Sequence, residues 1–563
     1  MSMQDAILDR VRSKQSRIVA AGHAEVESTT GPPLGSVRFV LEFPDNADAA
    51  AVSRTIRESM GIEVQAKSLS AAHGEGGDDG EDRLARFVVV TVPRISQSDL
   101  EPSAFEFGYA MADATGAVTA EPELGTDFYI PDHFDGGEQT ESVGGCWVDA
   151  GLDPTRDKPL WAVEKVRATA AWKLPPEAAG KAKGASVRIF QPDTGVADHS
   201  ELGEGMLDLT DAYDFVEEKK GAHDPLDYRG NPGHGTGTAS VVAGRGRSGR
   251  MSGAAPAATL VPLRAIERVV VFDHGRVAAA VEYARRKKAD VITMSLGGAW
   301  SSALKAAIAG AIADGVIVLA AAGNCVKVVV WPARYEEVIA VAGCNIDDHV
   351  WQGSCHGDAV DITAPAEFVP RANRATDNDG SPTDVRGGQG TSFAVALTAG
   401  VAALWLGHHG KDAILRSLAP GETVQNRFAE VLKCSSRRPV GWETSEFGAG
   451  IVDAERMLRL PLDNGGTSEG TLCGSDADGL RSVRTLLDEV GGGIVAEHAA
   501  GASRADERRF AAELSHLALA ARRRRRGDDQ AGNTEGVSGS QPSETLRRAL
   551  DATGRAGLLE GLR

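Results

Sequence analysis

Between Lys158 and Leu460, short and continuously apolar runs alternate with longer stretches of helical spacing, and this limits the fold of the chain more than any other feature. The runs are SVRIF (186–190), TLVPL (259–263), DVITMSL (290–296), GVIVLAAA (315–322) and EVIAVAG (337–343). Between them, RVAAAVEYARRKK and SALKAAIAGAIADG read as helices, the second closing on Gly315. A strand that is apolar on both faces needs cover on both faces. The alternation therefore predicts an α/β domain over 158–460 with a doubly wound, mainly parallel sheet. In such a sheet the reactive residues are expected at the carboxyl ends of the strands.

The flanks read differently. Residues 36–124 run strand, helix, strand, strand, helix, strand, with Val52, Ile56 and Met60 at helical spacing, which predicts a small two-layer α+β domain of ferredoxin-like order. Its second and third strands are joined by SAAHGEGGDDGEDRLA, expected to be a mobile loop. Residues 1–35 form an N-terminal extension and 125–157 a linker. Residues 461–563 form a charged extension, expected to be partly disordered with short helices. In it, SRADERRFAAELSHLALAARRRRR places Phe510, Leu514 and Leu517 on one helical face. The five arginines Arg522 to Arg526 read as a solvated run at a helix C-terminus, and the closing ETLRRALDATGRAGLLEGLR as a docking helix whose partner protein the sequence does not name.

A formal net charge of −19 over 563 residues argues against nucleic acid or an anionic membrane as the main partner. Charged residues from Asp5 to Lys14 interrupt any apolar leader, and the longest apolar run, Ala394 to Leu406, is too short for a membrane span. The six cysteines (Cys146, Cys325, Cys344, Cys355, Cys434, Cys473) are scattered without a CxxC pair. The expectation is free thiols in a cytoplasmic protein.

Three short motifs carry chemistry. In QPDTGVADHSEL, Asp193 follows directly on a strand; alone it reads first as an ordinary turn aspartate. In GHGTGTASVVAG, His234 stands between glycines at a helix start, where protonation is disfavoured and a general base stays neutral; a lone histidine of this kind is more often structural. In GQGTSFAVALTAG, Ser392 opens an apolar helix, as an N-cap or as a nucleophile. A serine hydroxyl needs a base to take its proton, and the base needs an acceptor behind it. Asp193, His234 and Ser392 supply these roles, in one of the few chain orders known for such a triad.

DTGV, GHGT and GTSFA in this order resemble the subtilisin family of serine peptidases, and SLGG, AAAGN and FGAGIVDAERML agree with it. The resemblance implies a subtilisin-type catalytic domain acting on peptide or protein substrates. It makes Asp193, His234 and Ser392 catalytic and places Asn324 with the Ser392 backbone N–H in the oxyanion hole. It also implies that Ser295, Leu296, Gly297, Gly298, Ala322 and Gly323 bind substrate. It recasts residues 36–124 as a propeptide-like domain, an intramolecular inhibitor. Independently of kinship, an amide donor such as Asn324 stabilises the charge that develops on an attacked carbonyl. The function so implied is a serine endopeptidase; the alternatives are an idle, peptide-binding pseudoprotease and an acyl or ester hydrolase using the same triad.

This chain departs from the family pattern at several points. Gly237 stands where a second histidine is usual and Ala396 where a proline is usual, while Gln191-Pro192 replaces an apolar pair before Asp193. GRGRSGRMSGAAP lacks the Asn-rich insertion that holds calcium in secreted relatives, so no cofactor, calcium or other metal is expected. Cys325 beside Asn324 is expected to make activity sensitive to thiol reagents. Val328, Val329 and Val330 point to an apolar side chain next to the cleaved bond.

Overall fold

The computed structural model describes residues 2–20, 35–70, 82–124, 148, 153–462 (except 204, 229, 272–273 and 375–381), 483–491, 504–525 and most of 541–561. Most of the expected linker, the acidic loop at 71–81 and the expected disordered stretches of the C-terminal extension lie outside these residues.

An eight-stranded sheet forms the centre, in the order Ile362–Pro365, Ile339–Cys344, Ile317–Ala321, Val291–Met294, Arg188–Asp193, Thr259–Arg264, Tyr213–Asp214, Lys219–Lys220. Every pairing is parallel except the last. The apolar runs are explained by their faces. Ile189, Val291, Ile317 and Leu319 pack in one core with the helices His234–Ala243 and Thr391–His409. Their neighbours Phe190, Ile292, Val318 and Ala320 pack in the other, with His274–Arg286 and Ser302–Ala313. Alternate residues thus serve opposite layers, so no polar face exists and the runs are continuous.

From its first strand, Arg188–Asp193, the chain goes to the edge strands Tyr213–Asp214 and Lys219–Lys220, returns to Thr259–Arg264 on the same side, and then crosses to Val291–Met294 on the other. Strand order reverses there, and the carboxyl end of that strand, where Asp193 is the last residue, is where such a sheet places its reactive groups. The helix Thr391–His409 is long and apolar enough to cross a membrane, although the longest unbroken apolar run within it is short; it is wholly buried as the central helix of one layer.

Residues 36–123 form an antiparallel sheet in the order Gln65–Ser68, Phe87–Pro93, Ser36–Glu42, Thr119–Glu123, with helices Ala49–Met60 and Ala104–Thr115. The first helix starts where Asp48 Oδ1 accepts from the Ala50 N–H (3.0 Å) and ends on Gly61 at φ 63°, burying Val52, Ile56 and Met60 as its spacing predicts. The apolar core of this unit is continuous with that under His274–Arg286 and Ser302–Ala313.

The C-terminal helices, of which the closing one was read from sequence as a docking element for another protein, lie against this same unit. In Arg504–Arg525, Glu513 accepts from Tyr109 Oη (2.8 Å) and Phe510 meets the Tyr109 ring edge-on at 5.2 Å. Thr545 donates to Glu106, and the Met3 N–H at the opening helix Met3–Ala20 donates to Glu544. Burial pushes the Glu513 carboxyl up to about 7.

The cysteines correct the sequence reading. Cys325 and Cys434 are disulfide-bonded, whereas Cys344 and Cys355 are buried thiols. Cys325 therefore offers no thiol beside Asn324, and the inference from free thiols to a reducing compartment falls with it. Scattered spacing carries no information about which cysteines folding brings together.

Candidate active site

Asp193 is held on both carboxylate oxygens. Oδ1 accepts from the Thr194 N–H (2.7 Å) and faces His234 Nδ1 at 2.7 Å; Oδ2 accepts from Thr238 Oγ1 (3.1 Å) and Gln191 Nε2 (3.5 Å). Both Asp193 and His234 are buried. A buried carboxylate on Nδ1 fixes the tautomer that carries the proton there, leaving Nε2 as the acceptor. The sequence did not reveal that Gln191 is part of this cradle. Its Nε2 also donates to Gly235 O and Thr238 Oγ1, both at 2.9 Å, tying the strand end to the His234 helix.

The turn that delivers His234 is equally built. Asp224 Oδ2 accepts from the Gly233 N–H (2.8 Å) and from Thr194 Oγ1 (2.9 Å), and Thr194 Oγ1 accepts from the Gly235 N–H (3.0 Å). Burial holds the Asp224 carboxyl above its usual range. A Cβ at Gly235 would stand 2.1 Å from Gly195 O, so only glycine lets these two loops touch. The expected departure at Gly237 has a local reason. A Cβ there would meet Arg371 Cδ at 3.0 Å, and Arg371 stacks over Phe393. Arg371 takes the room that a histidine would need.

Ser392 is the second residue of Thr391–His409 and is buried. Its Oγ donates to Ser295 O at 3.5 Å and not to His234, while Ser295 Oγ donates to Ser392 O at 3.0 Å. The His234 and Ser392 helices are in close contact: a Cβ at Gly400 would stand 2.9 Å from Val242 O. Asn324 is anchored through Oδ1, which accepts from Thr391 N–H and Thr391 Oγ1, both at 2.9 Å. That anchoring turns the amide's NH2 end away from Thr391. Thr391 was likewise not singled out in the sequence.

Two of the residues expected to bind substrate, Gly297 and Gly298, carry backbone pairings within the chain. Gly297–Gly298 pairs in parallel with Val270–Val271, the Gly297 N–H donating to Val269 O (2.9 Å), and Gly298 exchanges hydrogen bonds with Trp331. Val330 Cγ2 lies 2.5 Å from where a Cβ of Gly297 would stand and 2.8 Å from that of Gly323. Val330 therefore fills the space between the two glycines. Val328 and Val329 are buried beside it.

Asp193 at a strand end, His234 at a helix start and Ser392 at the start of a neighbouring helix thus stand on three different elements of the sheet domain. A model of the subtilase family matches residues 183–428. Thermitase from Thermoactinomyces vulgaris is 31% identical over 266 residues, 46% of this chain and 86% of thermitase. An intracellular serine protease from Paenibacillus polymyxa is 30% identical over 254 residues, 43% of this chain and 71% of the relative. The structure of fervidolysin from Fervidobacterium pennivorans, a keratinolytic enzyme related to subtilisin, shares the fold at a TM-score of 0.52 and 19% identity, covering 79% of this chain and 65% of its own. The chain belongs to the subtilase family and is a subtilisin-like serine endopeptidase, a hydrolase acting on peptide or protein substrates.

Proposed function

We propose that hydrolysis proceeds through Ser392, His234 and Asp193, with Asn324 and the Ser392 backbone N–H as oxyanion donors. The carrying observation is the 2.7 Å approach of His234 Nδ1 to an Asp193 carboxylate that neighbours hold on both oxygens. In this reading Ser392 Oγ exchanges Ser295 O for His234 Nε2 as its acceptor. Its proton then passes to Nε2 as Oγ attacks the peptide carbonyl, and Asp193 stabilises the imidazolium. The oxyanion forms against Asn324, and His234 returns the proton to the leaving amine; water then releases the acyl group by the reverse roles. Side chains fill every proton and charge role, so the reading assigns no cofactor. Ser392→Ala is expected to abolish casein hydrolysis and fluorophosphonate labelling; a folded variant that keeps both refutes the assignment.

Control by the N-terminal unit is supported by two carboxylates on the strand Thr119–Glu123. Glu121 accepts from Ser302 N–H (3.1 Å) and Oγ (2.8 Å) at the start of Ser302–Ala313, and Glu123 from the Gly275 N–H (2.9 Å) at the start of His274–Arg286. Each places a carboxyl at the positive end of a helix dipole. The chain leaves this strand at Leu124, and at Val148 its N–H and C=O both bond the side chain of Gln389, three residues before Ser392. A cytoplasmic location rests on the relative named intracellular, while the disulfides at Cys325 and Cys434 favour an oxidising compartment. Cell fractionation with mapping of the Cys325 oxidation state separates the two.

A further inference from the structure

At the far end of the helix that begins with Ser392, three potential ligands converge outside the catalytic site. His408 and His409 close that helix, and the segment around Glu177 folds over its end. One ligand atom each from Glu177, His408 and His409 falls within 4.8 Å of the others. The imidazole rings of the two histidines stand at 84° with centroids 4.8 Å apart, and Glu177 Oε1 is 2.9 Å from His409 Nδ1.

The segment is built against the helix end and does not merely pass it. Glu177 N–H donates to His408 O (3.0 Å), Gly180 N–H to Glu177 O (2.8 Å), and Lys181 N–H to Gly407 O (2.6 Å). A Cβ at Gly180 would stand 1.8 Å from His408 O, and one at Gly410 2.9 Å from Ala179 O. Glycine at both positions allows a contact that fixes the Glu177 backbone over the histidines.

His409 is fully buried, yet neither ring nitrogen has a hydrogen-bond partner; the Nδ1 approach to Glu177 is close but off the N–H direction. A buried imidazole left in this state is costly unless something satisfies it. Burial holds both histidines below the usual imidazole range. The carbonyl end of a helix also favours positive charge.

We propose that Glu177, His408 and His409 form a binding site for a transition-metal dication of the zinc class. Two imidazole nitrogens and one carboxylate oxygen are a donor set for Zn²⁺, Co²⁺ or Ni²⁺, not for the all-oxygen shell that Ca²⁺ takes. Tetrahedral zinc at ~2.0–2.2 Å from each ligand places ligand atoms about 3.3 Å apart. The present spread closes to that by torsion of Glu177, whose side chain is about half exposed, towards the two buried imidazoles. A water completes the shell from the open side. Bound metal staples residues 177–181 to the end of the helix that carries Ser392, a structural site remote from the chemistry.

The test uses the full-length Ser392→Ala chain, which cannot digest itself, stripped with chelator and then given Zn²⁺ or Co²⁺. The expected result is one zinc retained per chain on dialysis and a four-coordinate visible spectrum with Co²⁺. The melting temperature should rise by about 4 °C when zinc exceeds its dissociation constant about 100-fold. Glu177→Gln with His408→Asn is expected to weaken zinc binding by about 100-fold or more, beyond the 10–100-fold typical of losing an outer partner, and to remove the melting shift. In the active chain the same pair leaves peptide hydrolysis unchanged. Should the pair not fold, Glu177→Gln alone, on an exposed side chain, gives the same comparison. Absence of zinc binding at micromolar concentration, or binding and a melting shift that these substitutions leave intact, overturns the proposal.

Discussion

Replacing Glu123 by Ala isolates what seats the N-terminal unit on the catalytic sheet. Glu123 is nearly buried, with one oxygen on the Gly275 N–H at 2.9 Å and the other on Arg38 Nε at 2.5 Å. A hydrogen bond to a charged acceptor contributes about 1.5–3 kcal/mol, and a helix N-terminus adds about 0.3–1 kcal/mol. Arg38, about one-sixth exposed, is left without this partner, a cost lowered by the water it can still reach. Together these give a loss of about 2–4 kcal/mol, or roughly 30- to 1,000-fold in the seating equilibrium. The measurement is hydrogen–deuterium exchange of the first turn of His274–Arg286 in the Ser392→Ala chain, where the chain stays whole. Exchange at Gly275 should quicken by that factor, with parallel loss of protection in Thr119–Glu123. Equal exchange in the variant and its parent refutes the seating role of Glu123, because no other carboxylate is on the Gly275 N–H among the described residues.

Other outcomes follow from the same geometry. Burial against Ser302 pushes the Glu121 carboxyl up to about 8 from an ordinary 4.5, so the seated form holds a proton that the unseated form releases. Seating is then strongest below about pH 4.5 and weakens as pH rises towards 8, by up to tenfold per unit; Glu121→Gln should flatten that dependence in the exchange assay. Asn324→Ala should lower kcat about 10²–10³-fold with little change in KM, the scale set by a subtilisin itself, and unchanged kcat would remove Asn324 from the oxyanion hole. Val330→Ala should raise kcat/KM for substrates with a larger side chain before the cleaved bond by about 10- to 100-fold relative to small ones; an unaltered preference in a peptide library would place the pocket elsewhere.

Local chemistry in the sequence was enough for the sheet. Strands that serve two cores must be apolar at every position, and that pattern, with the helices between, is visible without coordinates. The motifs around Asp193, His234 and Ser392 were visible for a related reason: a strand end, a glycine-flanked helix start and a small-residue helix are local requirements. What holds those residues was not visible. Gln191, Thr194, Thr238, Asp224 and Thr391 are ordinary polar residues whose partners lie 30 to 67 positions away in the chain or in a neighbouring turn, and only packing makes them a cradle. The cysteines misled for the same reason, since bonding depends on which loops meet.

The sequence by itself determined a doubly wound α/β sheet and the residue types at its reactive strand end, because periodicity and glycine placement act within a few residues. Tertiary structure alone decided that the C-terminal helices cover the N-terminal unit, that Val330 fills the space between Gly297 and Gly323, and that Glu177 meets His408 and His409. Those outcomes depend on which distant surfaces come within hydrogen-bond or van der Waals reach, and no local pattern encodes that distance.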